Sequence, residues 1–252
     1  MRIETQARQS SHSSLRNNKK VFYQGQKKLF YESIEPDTLV LRYIDEPTQE
    51  FTGIGGIQNR LNEVLYTRLN DLGIDHHYIK RLNMWEQLVF LAEPFPFYIQ
   101  VYNVAVGDWA KRFGLEDGTI LHQPIFELVM KRKGLPETVI SSDQLIAFDW
   151  VDKDDLKETL HQAQRINDFM IGQFLALKMR LATYPIQFGY FLGDSWDPQR
   201  LILIDSFDLR QSVMIDLVSG LSLNGVGSFE KSTNCPQTGF HEIARRFHVL
   251  TV

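Results

Sequence analysis

The stretch VYNVAVGDWAKRFGLEDG, Val101 to Gly118, limits the folds open to this chain more than any other. It reads as the end of a strand, a glycine turn at Gly107, and a short helix from about Trp109 to Phe113. Asp108 is placed to cap that helix, and Gly114 stands where a helix stops. Lys111 and Arg112 fall together on one turn, near backbone N–H groups left free by the helix start. That suits an anion, although a basic pair on a helix is more often a solvated face. A strand, tight turn and short helix in succession call for a mixed α+β architecture.

The remaining chain supports a sizeable core. It has 252 residues, 43% hydrophobic and 12% aromatic, and a formal net charge of -4. That charge argues against broad binding to nucleic acid or an anionic membrane. The single cysteine, Cys235, excludes an internal disulfide framework and a cysteine-based metal cluster. No apolar run approaches the roughly 20 residues of a membrane helix. The first residues lack the apolar core of a secretory signal, so a soluble, cytoplasmic protein is expected.

Residues 1–20 are polar and read as a disordered tail. VFYQGQKKLFYES predicts a hairpin turning at Gln24 to Lys27, and Thr38 to Ile44 a further strand. Gly53, Gly55 and Gly56 form a flexible approach to a helix with the apolar stripe Ile57, Leu61, Val64, Leu65, Leu69 and Leu72, ended by Gly73. HHYIKRLNMWEQLVFLAE reads as two strands with a turn between. His76 and His77 are adjacent and would diverge in an extended chain, so they make a poor metal pair.

Pro94 and Pro96 mark an expected boundary between an N-terminal antiparallel domain, 21–93, and a larger α+β domain, 94–252. In the second part Phe97 to Tyr102 is a strand. Gln123 to Lys131 and Gln144 to Phe148 are strands or short helices. Asp155 with Glu158 predicts a capping box for a long core helix. Strands are expected at Ile186 to Leu192 and Leu201 to Ile204, a loop at 223–239, and a C-terminal helix in FHEIARRFHVL. No metal-ligand spacing, nucleophile elbow or Walker-type loop is present. The SFDLRQS turn after the last strand offers Asp205, Asp208 and Arg210 at a strand's carboxyl end. A turn aspartate is most often only a turn former.

The 101–118 stretch resembles the V-R-N-x-A-A-G-S-x-x-K-R-L-G-I-x-x-G segment of the SAICAR synthetases, a family of purine-pathway ligases. YQGQKKLFYE, NDLGIDHHYIKRLNMWEQL, RINDF and HEIARR extend the likeness in the same order. The resemblance implies a small antiparallel sheet domain, a larger α+β domain, and a nucleotide cleft between them. It implies joining of aspartate to a carboxylated aminoimidazole ribonucleotide, with ATP and magnesium as cofactors. Carried over by position, Gly25, Lys28, Lys131 and Asp205 would face the nucleotide, with Asp205 the one candidate metal ligand. Asn59, Asn103, Gly107, Lys111 and Arg112 would face the substrate.

Other family positions differ. Gln26 replaces a lysine, Ile54 a lysine, Tyr102 an arginine and Asp108 a serine. In the V-D-F-K-x-E strand the polar residues become Thr183, Pro185 and Gln187. Ser206 and Arg210 replace acids, and Val213 an arginine. Magnesium on a nucleotide wants hard oxygen ligands. On these substitutions the chain is expected to keep the fold while standard ligation is impaired or lost, acting as a binding protein or as a partner of an intact synthetase. The alternative is an active ATP-dependent SAICAR synthetase, or a related ligase with changed substrate. A homodimer is expected in either case.

Overall fold

The computed structural model describes residues 20–25, 27–45, 53–193, 200–205, 207–223 and 236–249. Residues 1–19 of the expected tail, Gln26, most of the 193–200 turn, Ser206 and most of the 223–239 loop lie outside them. Two antiparallel sheets organise the described chain, giving the α+β class that the sequence implied.

The first sheet runs β1 (Val21–Gln24), β2 (Lys28–Glu32), β3 (Thr38–Tyr43), β5 (Glu86–Phe90) and β4 (Tyr78–Arg81) in that spatial order. The β1–β2 hairpin and the β4–β5 pair fall where alternation and turn residues put them. Between β3 and β4 runs α1, Ile54–Asp71. Gly55 and Gly56 lie inside this helix, not in a flexible approach to it. A Cβ on Gly55 would stand 3.1 Å from the Trp85 ring and 3.2 Å from the Tyr43 carbonyl oxygen, so glycine lets the β4–β5 turn press against the helix. Gly53 precedes it with φ 89°, a left-handed conformation that other residues rarely adopt.

The second sheet is built on β10, Met179–Phe191. One edge pairs with β7 (Phe97–Val104) and β6 (Ala92–Pro94), the other with β12 (Val213–Asp216) and β11 (Arg200–Asp205). β8 (Ile120–Met130) and β9 (Thr138–Val139) continue beyond β7. β10 begins seven residues earlier than the expected strand at Ile186, because Pro185 breaks the apparent run. Pro185 falls at residues 184–186, between the stretches paired with β12 and β11, where a missing N–H is best tolerated.

Three helix boundaries correct the sequence reading. α2 is Gly107–Arg112, its cap position is Val106, and Asp108 makes no capping bond. Asp117, ten residues on, accepts from Gly107 N at 2.7 Å and takes that role. α3 (Ser142–Ala147) carries a full capping box from Ser141 and Gln144. α4 (Lys153–Ala176) is capped by Asp152, not by an Asp155–Glu158 box. Asp155 instead accepts from the Tyr190 hydroxyl. The C-terminal helix, α5, is Pro236–Arg246.

One core joins the two sheets. Leu61, Leu65 and Leu69 of α1 are fully buried in the same cluster as Ala163, Ile166, Met170 and Phe174 of α4 and Tyr184 and Ile186 of β10. Each buried leucine contributes about 1.5–3 kcal/mol through apolar area removed from water. The backbones of β6 and β10 approach so closely that a Cβ on Gly189 would stand 2.3 Å from the Glu93 carbonyl oxygen. We therefore expect Gly189→Ala to destabilise the protein by about 1–3 kcal/mol, as overpacked sites do. Urea unfolding with an unchanged m-value is the measurement; a wild-type midpoint would contradict this packing.

Candidate functional site

The first sheet meets the second at the start of β2 and the end of β11. Gly25 N donates to Lys28 O at 2.9 Å and closes the hairpin turn, so Lys28 opens β2 with its side chain aimed inward. Its Nζ lies 2.5 Å from Asp205 Oδ2 and 5.7 Å from the Tyr43 ring centre. Asp205 ends β11 opposite Gln187 of β10. Burial pulls the Lys28 ammonium down, but the charges of Asp205 and Asp208 outweigh it and hold the group above its ordinary value. The lysine is therefore a cation kept charged inside the protein.

Asp208 is buried in the turn after β11. Its carboxylate accepts from Arg210 N at 2.8 Å, and its carbonyl accepts from Ser212 Oγ at 2.7 Å. The Arg210 guanidinium reaches back to the first sheet, donating to Ile44 O at 3.0 Å and standing 3.7 Å from Asp45. Asp45 in turn accepts from Gly53 N at 2.5 Å and Gly55 N at 2.7 Å, so the start of α1 already holds a carboxylate of this chain.

Buried polar side chains tie these parts together. Gln58 Nε2 donates to Phe207 O at 2.8 Å and to Asn62 Oδ1 at 2.9 Å, while Gln58 Oε1 accepts from Leu209 N at 2.8 Å. Asn62 donates to the Tyr43 hydroxyl at 2.7 Å. His77 bridges the sheets through its backbone, donating to Leu203 O and accepting from Phe90 N. Its imidazole is 5% exposed. Burial, then the charges of Lys28 and His76, push it down to about 3.

Of the residues picked from sequence, the structure brings Lys28, Asp205 and the Gly25 turn together. The others engage elsewhere. Asn59 is buried and donates to the carbonyls of Asn83 and Met84, which makes it a brace for the β4–β5 turn. Asn103 exchanges hydrogen bonds with Asn167 of α4. Gly107, with φ 58°, directs its N–H to Asp117. Lys111 stands 3.6 Å from Asp108, and Arg112 donates to Glu127 at 2.8 Å. Lys131 lies 5.9 Å from the Tyr98 ring. Tyr43, Asp45, Gln58, Asn62 and His77 were missed. Their partners lie between 4 and 151 residues away, and only the Gln58–Asn62 pair, one helical turn apart, has a local spacing.

Among the described residues no three of His, Cys, Asp and Glu gather as a metal centre, and no helix is long and apolar enough to cross a membrane.

Comparison with known proteins follows the same lines. A sequence profile of the family described as SAICAR synthetase matches residues 21–213. The chain is 36% identical over 240 residues to the phosphoribosylaminoimidazole-succinocarboxamide synthase of Dinoroseobacter shibae, covering 92% of this chain and 93% of that one. To the synthase of Sinorhizobium fredii it is 33% identical over 241 residues, covering 93% and 94%. In fold it is similar to the synthase of Ehrlichia chaffeensis, with a TM-score of 0.83 at 23% identity over 92% of this chain and 100% of that one. A SAICAR synthetase solved in complex with ADP superposes with a TM-score of 0.81 at 22% identity, over 92% and 99%.

The buried histidine generates a pH prediction. His77 titrates near 6.5 when unfolded and at about 3 when folded. Between those values the unfolded chain binds a proton that the native chain refuses. The stability held above 6.5 is therefore lost progressively as pH falls towards 3. His77→Gln should flatten the fall in urea midpoint between pH 7.5 and pH 5. Equal slopes for wild type and variant would show that His77 is not held neutral by the fold.

Proposed function

The chain belongs to the SAICAR synthetase family, and from that membership we propose that it is an ATP-dependent ligase joining a carboxylate to an amine, with aspartate and a carboxylated aminoimidazole ribonucleotide as substrates. The observation that carries this reading is the Lys28–Asp205 pair. It keeps a charged lysine and a carboxylate 2.5 Å apart where the hairpin meets the end of β11. That is the combination phosphoryl transfer requires, a fixed cation for phosphate oxygens and an oxygen ligand for the accompanying metal.

The residues fit a magnesium nucleotide. Lys28, held charged by Asp205 and Asp208, and Gly25 of the hairpin turn would hold the phosphates. Asp205 would be the protein's carboxylate to magnesium. This ion commonly takes one or two carboxylates and completes its shell with phosphate oxygens and water. The replacement of acids by Gln187 and Arg210 therefore does not by itself remove the metal. When bound, the magnesium nucleotide supplies the phosphoryl group that activates a carboxylate towards an amine. Lys111 and Arg112, on the exposed face of α2, would offer cations to an anionic substrate.

Gln187 beside Asp205, and Arg210 engaged with Ile44 and Asp45, favour a second reading. There the chain has given up ligation and associates with an intact synthetase. The comparisons support the first reading better, since relatives named as synthases match it almost end to end. The same assay separates the two. Purified protein with magnesium, ATP, aspartate and the carboxylated ribonucleotide should form ADP only when both co-substrates are present. Removing one charged hydrogen-bond partner costs about 1.5–3 kcal/mol, so Lys28→Met and Asp205→Asn should each lower kcat/KM by roughly ten- to a hundredfold. No substrate-dependent ADP from well-folded protein would overturn the first reading.

A further inference from the structure

We propose that Gln58 is a positioning residue for this site: its carboxamide fixes the loop that carries Asp205 and Asp208 against Lys28. The side chain is 4% exposed and reaches from α1 to a loop 149 to 151 residues away. It takes both kinds of backbone group from that loop, donating to Phe207 O at 2.8 Å and accepting from Leu209 N at 2.8 Å. Those two residues flank Asp208. A glutamine amide presents two donors and an acceptor in one plane, and here both donors and the acceptor oxygen are engaged.

The same side chain is linked to Lys28 from the other direction. Gln58 Nε2 donates to Asn62 Oδ1, Asn62 Nδ2 donates to the Tyr43 hydroxyl, and the Tyr43 ring lies beneath the Lys28 ammonium. Lys28 Nζ then meets Asp205. Gln58, Asn62, Tyr43, Lys28 and Asp205 thus form one run of contacts, and Phe207, two positions after Asp205, accepts from Gln58. Both partners of the central ion pair are thus referred to one side chain on a rigid helix. In such a linked network the loss of one member loosens the rest. Gln58 touches neither reacting atoms nor phosphates, so it acts through the loop.

The kinetic consequence rests on the ligase reading above, and the geometric one does not. The full chain is compared as wild type, Gln58→Met, Asp205→Asn and Thr159→Val. The last replaces a buried α4 residue whose hydroxyl donates to Asp155 O of its own helix. Acetylation of Lys28 by dilute acetic anhydride is followed by mass spectrometry, relative to the exposed Lys80. Gln58→Met gives up hydrogen bonds worth about tenfold in an equilibrium, so Lys28 labelling should rise about tenfold, towards the Asp205→Asn level. Thr159→Val should lower Tm and leave labelling as in wild type. The KM for ATP should rise in Gln58→Met by a larger factor than kcat falls. If Gln58→Met does not fold, Gln58→Asn, too short to span both backbone groups, is read in the same way. A lowered Tm with wild-type labelling and wild-type KM would overturn the proposal. Absence of ligation in wild type would defeat the ligase reading, while the labelling still decides the role of Gln58.

Discussion

A lysine removed from water must keep a negative partner, and much of this structure arranges one. Lys28 sits at the turn end of the hairpin with its side chain 18% exposed, and Asp205 answers it from the other sheet. Removing one member of a part-buried pair leaves the survivor charged and only partly solvated, which is unfavourable. The pair therefore fixes how the end of β11 stands against the start of β2. Tyr43 beneath the ammonium, Asp208 behind it and the His77 backbone bridge all serve one juxtaposition. Burial keeps His77 neutral, and the nearby Lys28 charge works in the same direction.

That juxtaposition needs a rigid frame, and β10 provides it. The strand is 13 residues long and serves four partners, with β7 and β6 on one edge and β12 and β11 on the other. Close backbone approach at Gly189 and packing of α4 across the sheet leave little freedom in its position. Asp205 inherits that rigidity through β11. Lys28 inherits it less directly, through the register of β2 with β3. The site thus joins a firmly held carboxylate to a cation on a hairpin whose first strand, Val21–Gln24, is exposed along its whole length.

The parts legible in the sequence were those with local signals. Alternation and turn residues located the β1–β2 hairpin, β3 and the β4–β5 pair, and the 3.6-residue stripe located α1. The motif carried over Lys28 and Asp205, which the structure joins. The misses share a physical cause. Asp117 rather than Asp108 receives the Gly107 N–H, because the chain returns to the helix start ten residues later. Asp152 displaced the expected Asp155 cap, because Tyr190, on a distant strand, engages the Asp155 carboxylate. Gln58 looked like any polar helix residue, since its backbone partners lie about 150 positions downstream. Local chemistry proposes hydrogen-bond partners, and tertiary contacts choose among them.

The two sets of cations differ in what an anion must overcome. Lys111 and Arg112 face Asp108 and Glu127 at the surface, where both basic side chains are about half exposed or more. Such pairs are worth about 0–1 kcal/mol, so an incoming anion displaces them easily, and salt screens both the pair and the ligand. Lys28 is different. It is largely buried and its Asp205 partner is part-buried, so separating the two without replacement is costly. Only a ligand that brings its own negative charge to the lysine, and a counter-cation to the aspartate, can enter there without leaving a buried charge alone. A nucleotide carrying magnesium meets both conditions in one step. A free phosphate meets only the first, and a free metal ion only the second.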